Sequence, residues 1–380
     1  MLTENDFKKI EKSAVSLYEQ LELDIIEQIA KRIANVGYAN TVVLDNIEIA
    51  NEMGLLNQEI IDLVASYNNM TSDEVRKIFE EAGISALKYD DKIYKKAGKV
   101  VNPIKDNPKI MQLLETTAKR TSNNLANLAM TTANTSQIQF YNLMNKAYLE
   151  VSSGVKSSSQ AIIDSVKELS KTGAVIQYPS GTTRSIESAV RTNVVTSVNQ
   201  NCAKLQELRA EEMGWDLVEV SAHGGARPEH ADWQGKVYSL RGETKGYKTL
   251  EEGCDYGDIL GLCGVNCRHT FFPYYNGSTR TYSNRELAEI KNDTVEYDGK
   301  QISKYTASQI QRGYERAIRQ DKKDIRALET LATNVKDEET MTETKEELQR
   351  AKDNMLKHNR NFNDFLKQTQ LNKDNSRLVI

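Results

Sequence analysis

Disulfide scaffolding, membrane spans and a dominant charge are all missing from this sequence. Four cysteines in 380 residues are too few for a disulfide framework. No uninterrupted apolar run approaches the roughly 20 residues of a membrane-spanning helix. The opening "MLTENDFKKIEKSA" has acidic residues and lacks an apolar signal core, so the chain is expected to be made in a cytoplasm, without membrane contact. Lys plus Arg number 50 against 54 Asp plus Glu, a balance that argues against a dedicated nucleic-acid binder and makes any DNA contact local. The G-x-S-x-G, P-loop, dinucleotide and H-E-x-x-H signatures are absent, so an enzymatic reading would rest on residue types alone.

Helical periodicity dominates what is present. Phe7, Ile10, Leu17, Leu21, Ile25, Ile29 and Ile33 recur at three, four and seven, which places them on one helical stripe. Asn57, and Thr71 with Glu74, read as the caps of two further helices. Pro103 and Pro108 break the pattern, and 110–150 reads as one long helix or two. The Ser-rich "VSSGVKSSSQ" marks a linker before a short helix closed by Gly173. "AVIQYPSGTTRSI" reads as a hairpin, followed by an amphipathic helix ending at Gly214 and a strand in "WDLVEVSAH". Beyond Asn284 the chain reads as helical again, closing in a long antiparallel hairpin with the acidic "KDEETMTETKEE" as its turn. The expected fold is α+β: a helical N-terminal region (1–150), a small mixed sheet-and-loop core domain (151–280) and a helical C-terminal extension (281–380).

Between Gly214 and Gly277 the composition changes. Eleven of the 20 glycines fall here, with both tryptophans, three of the four histidines and three of the four cysteines, so short strands and ordered loops are predicted. Three constellations lie in or near this segment. Cys254, Cys263, Cys267 and His269, with His223 and His230 nearby, could hold a structural zinc; their spacing fits no regular zinc finger, and buried thiols or a Cys263–Cys267 disulfide are the alternatives. His223, Glu229, His230, Asp232 and Asp258 offer acid–base groups, while Glu229 and Asp232 equally suit a short helix begun by Pro228. Farther on, Arg312, Arg316, Arg319, Lys323 and Arg326 step by four and three along one helix face. That stripe either contacts DNA phosphates or lies solvated or against protein.

"SAHGGARPEHADWQGKVYSL" and "GYKTLEEGCDYGDILGLCGVNCRHTFFPYYNG" together resemble the signature of the minor capsid protein 2 family of tailed bacteriophages, related to the F-type minor head proteins of Mu-like phages. The resemblance implies a structural role in the virion near the portal vertex: assisting head assembly, DNA packaging or ejection, with portal and capsid proteins as partners and no enzymatic activity. It implies that His223, Arg227, His230, Trp233, Gln234, Gly235, Asn266 and Arg268, with Cys263, Cys267 and His269, tie a small sheet and its loops together. The rival reading is a zinc-dependent nucleic-acid-processing enzyme; a free-standing host regulator lacks any recognition motif.

Overall fold

The first helix begins where its sequence provides a cap. Thr3 donates its backbone N–H to Asp6 Oδ2 at 2.8 Å, and Asp6 N returns a bond to Thr3 Oγ1 at 3.3 Å, which satisfies amide donors that a helix start leaves open. From there a computed structural model describes residues 2–36, 46–178 and 180–378. Helix α1 (Glu4–Val36) buries the predicted stripe: Phe7, Leu21, Ile25, Ile29 and Ile33 are inaccessible to solvent.

The two helices predicted next are one. Helix α2 (Asn46–Lys96) runs 51 residues without a break, about 75 Å at 1.5 Å per residue. Thr71 is not its cap: it is buried in mid-helix and donates Oγ1 to the Tyr67 carbonyl at 2.7 Å, the i−4 back-bond open to a threonine inside a helix. Asn57 also lies within α2, where its Oδ1 accepts from Gln137 of the following helix. The true cap is Asn107, whose side chain accepts from Lys109 N and Ile110 N, with Pro108 in the first helical position of α3 (Pro108–Ser152). The uncertain 110–150 segment is thus a single helix.

The short helix α4 (Ser158–Thr172) ends at Gly173, and β1 (Val175–Gln177) pairs antiparallel with β2 (Thr183–Ser185), as the sequence predicts; Pro179 of that turn lies outside the described residues. Helix α5 (Ile186–Met213) stops at Gly214, φ 60°, a left-handed position that glycine adopts without a Cβ penalty. The mixed segment then forms a three-stranded antiparallel sheet, with β3 (Leu217–Val220) between β4 (Val237–Ser239) and β5 (Phe271–Pro273). Two very short helices, α6 (Pro228–Ala231) and α7 (Leu250–Cys254), punctuate its loops.

Two C-terminal expectations need correcting. After α8 (Asn284–Lys291) the chain is not simply helical: β6 (Thr294–Tyr297) and β7 (Lys300–Ser303) form a hairpin through Asp298 and Gly299, both at positive φ. An Asp-Gly pair is the usual signal for such a turn. Helices α9 (Lys304–Asn334) and α10 (Glu338–Thr369) do make the antiparallel pair, but most of "KDEETMTETKEE" belongs to the first turns of α10, capped by Asp337. Acidic side chains favour a helix N-terminus, where they face the positive end of the dipole.

Burial joins these parts. The main apolar cluster contains side chains of α1, α2, α3, α4, α5, α9 and α10, so all three expected segments contribute to it. A second cluster lies under the three-stranded sheet and includes Trp233, Tyr238, Cys254, Cys263, Cys267 and Phe271. The protein is therefore mostly helical α+β with small sheets. Among the described residues no helix is long and apolar enough to cross a membrane.

Candidate functional site

The site grows from one turn of helix. Arg227 precedes Pro228, the proline sets the first turn of α6, and His230 N closes that turn on the Arg227 carbonyl at 2.9 Å. This aims the His230 ring inward, 3% exposed, with the Trp233 ring centroid 4.5 Å away. Gln234 is also buried; its Oε1 accepts from His223 N at 3.1 Å and from the His269 ring at Nε2, 2.9 Å away. Gly235, at φ 66°, takes its N–H to the Val220 carbonyl while the Leu287 side chain packs where a Cβ would stand.

The second half of the motif arrives on the loop between α7 and β5. Gly261 and Gly264 let it coil tightly, because a Cβ at either would overlap the carbonyl oxygens of Asp255 and Ile259 respectively. Asn266 is left-handed at φ 56°; its backbone N–H donates to Thr196 and its side chain to Thr192, both on α5. Arg227 reaches the Val265 carbonyl at 2.7 Å rather than pairing with the acidic residues of α6, and Arg268 pairs with Glu11 of α1. The motif residues are thus brought together, tying the sheet to α5 and α1.

The acidic members of the acid–base set are not. Glu229, Asp232 and Asp258 are exposed, and Asp232 pairs with Lys291 at 2.7 Å. The four residues singled out as zinc ligands are also divided. Cys254 Sγ points to the Leu250 carbonyl and Cys263 Sγ to the His269 carbonyl, whereas Cys267 and His269 face His230 instead. His230 Nδ1 lies 3.4 Å from His269 Nδ1, and Cys267 Sγ lies 3.8 Å and 3.7 Å from those two atoms. All four cysteines are free thiols, so Cys263 and Cys267 form no disulfide. Burial pushes Cys254 up to about 12 and Cys263 well above the usual thiol range, and it lowers both His230 and His269.

Beside this knot lies a charged cavity of about 1060 Å³. The knot supplies one wall through His223, His230, Asn266, Cys267, Arg268 and His269; α9 supplies another through Arg312, Arg316, Arg319 and Lys323. The basic stripe therefore turns largely toward protein. Lys323 pairs with Glu22 at 2.6 Å, Arg326 with Glu27, and Arg319 with Glu187 at 3.6 Å; burial lowers Arg312 to about 10. Arg316 and Arg326 are the exposed members.

Sequence reasoning missed the residues that hold this arrangement from below. Asn199, fully buried on α5, donates to the carbonyls of Cys267 and His269 at 2.9 and 3.0 Å. Gln206 bridges Asp90 at 2.9 Å and the Phe271 carbonyl at 2.5 Å. Glu11 gathers Arg191 at 2.6 Å, Arg377 at 3.1 Å and Arg268. Burial alone would raise the Glu11 carboxyl, but Arg268, Arg377 and Arg191 outweigh it and hold it below its ordinary value. One signal could have found the α5 residues. Val195, Asn199, Cys202, Gln206 and Arg209 step by four and three, so three polar side chains occupy positions that the period assigns to the core.

The family model for phage minor capsid protein 2 matches residues 2–360 of the chain. A protein of Lactococcus phage LL-H described as "Structural protein" is 28% identical over 329 residues, covering 81% of this chain and 84% of that one. No solved structure matches significantly.

Proposed function

Because the chain belongs to the phage minor capsid protein 2 family, we propose that it works at the portal vertex, docking to the portal and assisting head assembly, DNA packaging or ejection. That it is a phage minor capsid protein, a structural component of the virion, follows from the family match along nearly its whole length. The observation that supports docking is on α3. Met130, Ile138, Tyr141, Tyr148 and Leu149 share the helix face opposite the buried one, and Ile138 and Leu149 are 62% and 63% exposed. An apolar row of this kind on a long helix suits a protein partner better than water.

Co-expression with the portal protein of the same phage, followed by size-exclusion chromatography with mass analysis, tests the reading. Co-elution with the portal ring is expected, and Ile138→Glu combined with Leu149→Glu should abolish it while leaving the helical circular dichroism unchanged. A complex indifferent to those changes would remove α3 from the interface; no complex at all would remove the portal. The nucleic-acid-processing alternative draws on the imidazole and thiol groups at the cavity wall. It would be favoured by cleavage of DNA that disappears in His230→Ala.

A further inference from the structure

We propose that His230, Cys267 and His269 bind one transition-metal ion of the zinc class, stapling α6 to the loop that leads into β5. The separations are those of metal ligands. An ion holding two imidazole nitrogens at about 2.05 Å and a thiolate at about 2.3 Å in a tetrahedron sets nitrogen–nitrogen and nitrogen–sulfur distances of about 3.4 and 3.6 Å. The structure has 3.4 Å between the two Nδ1 atoms, and 3.7 and 3.8 Å from these to Cys267 Sγ. Among the described residues this is the one group of three or more His, Cys, Asp or Glu side chains gathered closely enough to share an ion.

Hydrogen bonding fixes which ring nitrogens are available. His230 Nε2 lies 2.8 Å from the Leu260 carbonyl, which can only accept, so that nitrogen carries the proton. Gln234 Oε1 accepts from the His223 backbone N–H, which identifies the amide oxygen, so His269 Nε2 must also be the donor in its bond to Gln234. Both neutral rings therefore turn bare Nδ1 lone pairs toward each other and toward a thiol. Without an ion, two buried acceptors oppose each other across 3.4 Å, and the single thiol proton of Cys267 can satisfy only one of them. With an ion, the thiol gives up its proton, the two lone pairs become ligands, and the outer N–H···O=C bonds become the supports that orient metal-bound histidines.

Two imidazoles and one thiolate suit zinc or cobalt(II) and not magnesium or calcium, which take oxygen ligands. The same three residues line the charged cavity, so a water on that side completes the tetrahedron. Cys254 and Cys263 stay outside the set because their thiols are engaged with backbone carbonyls. None of this depends on portal docking, which can fail separately.

The test uses untagged full-length protein, stripped with a chelator and titrated with cobalt(II). The expected result is one cobalt per chain, with visible bands of a tetrahedral complex and a near-ultraviolet thiolate-to-cobalt band. Cys267→Ser should remove the thiolate band, and Cys254→Ser should keep it. Should Cys267→Ser fail to fold by circular dichroism, His230→Gln is expected to weaken cobalt binding at least tenfold while retaining the thiolate band. Absence of uptake by the wild-type chain, uptake without a thiolate band, or a band that survives Cys267→Ser would each overturn the assignment.

Discussion

The helical frame and the glycine-rich knot hold together by different means. In the frame, α1 lies with α2, α5 and α9 against an apolar cluster of Ile, Leu, Val and Ala, and stability comes from area removed from water. In the knot, each side chain completes another's hydrogen bond: Gln234 joins His223 to His269, Asn199 holds two loop carbonyls, and Arg227 holds a third. A frame of the first kind tolerates substitutions of similar shape, whereas a network of the second kind leaves a buried polar group unsatisfied whenever one member is lost. Where the two meet, the frame borrows from the knot. Glu11, Glu187 and Arg191 are charged residues inside the helical layer, paired with one another and, through Glu11, with Arg268 of the knot.

That junction gives the largest expected effect. Arg191→Leu removes one of three arginines from Glu11 and the nearer of two from Glu187, each held at 2.6 Å, and leaves two buried carboxylates under-compensated, which should cost about 3–5 kcal/mol. Urea unfolding of the whole chain measures it; a loss below about 1 kcal/mol would show that the carboxylates simply protonate or are reached by water.

A smaller and more local effect is expected from Asn199→Ala. It leaves the Cys267 and His269 carbonyls without their donor, at a cost of about 1–3 kcal/mol. Hydrogen exchange should show the 255–270 loop losing protection while α1 and α2 keep theirs. Uniform loss across both regions would mean that knot and frame unfold as one unit, and the contrast between them would have no energetic meaning.

The third effect depends on pH. Glu19 is buried, no hydrogen bond reaches its carboxyl oxygens among the described residues, and burial together with nearby Glu187 pushes it up to about 8. Its folded value lies above the unfolded one, near 4.5, so the folded state holds the extra proton between the two. The resulting stabilisation is complete below the unfolded value and drains away as pH rises toward 8. Glu19→Gln carries a neutral side chain at every pH and should lack this loss, so its Tm should gain on the wild type by about 2–4 °C between pH 5 and pH 8. Parallel Tm curves would mean that Arg191 keeps Glu19 ionised throughout.

Legibility followed the same division. The α1 stripe, the Gly173 and Gly214 stops and the α9–α10 pair could be read directly, because burial with a helical period leaves its mark in the order of residues. The errors arose where a local signal was overruled or passed over. Thr71 with Glu74 looks like a capping box, yet packing carries α2 straight through it; Asp298–Gly299 announces a hairpin that helical character on both sides obscured. At the site, composition pointed to the Gly214–Gly277 segment, in which the knot forms, and singled out Cys254, Cys263, Cys267 and His269 together. It could not choose His230 over Cys254 and Cys263, since that choice depends on which loop coils back upon which.

Taken alone, the order of residues determined the helices, their stops, the place of the knot and, through its motif, the family. These rest on interactions between residues a few positions apart, or on a pattern carried whole. Tertiary structure alone decided that α2 is continuous, that the α9 cations turn toward Glu22, Glu27 and Glu187, and that Cys267 meets two imidazoles. Apart from Cys267 and His269, two positions apart, those contacts join residues from 37 to about 300 positions apart, and only closing the chain on itself brings such partners within a few ångströms of each other.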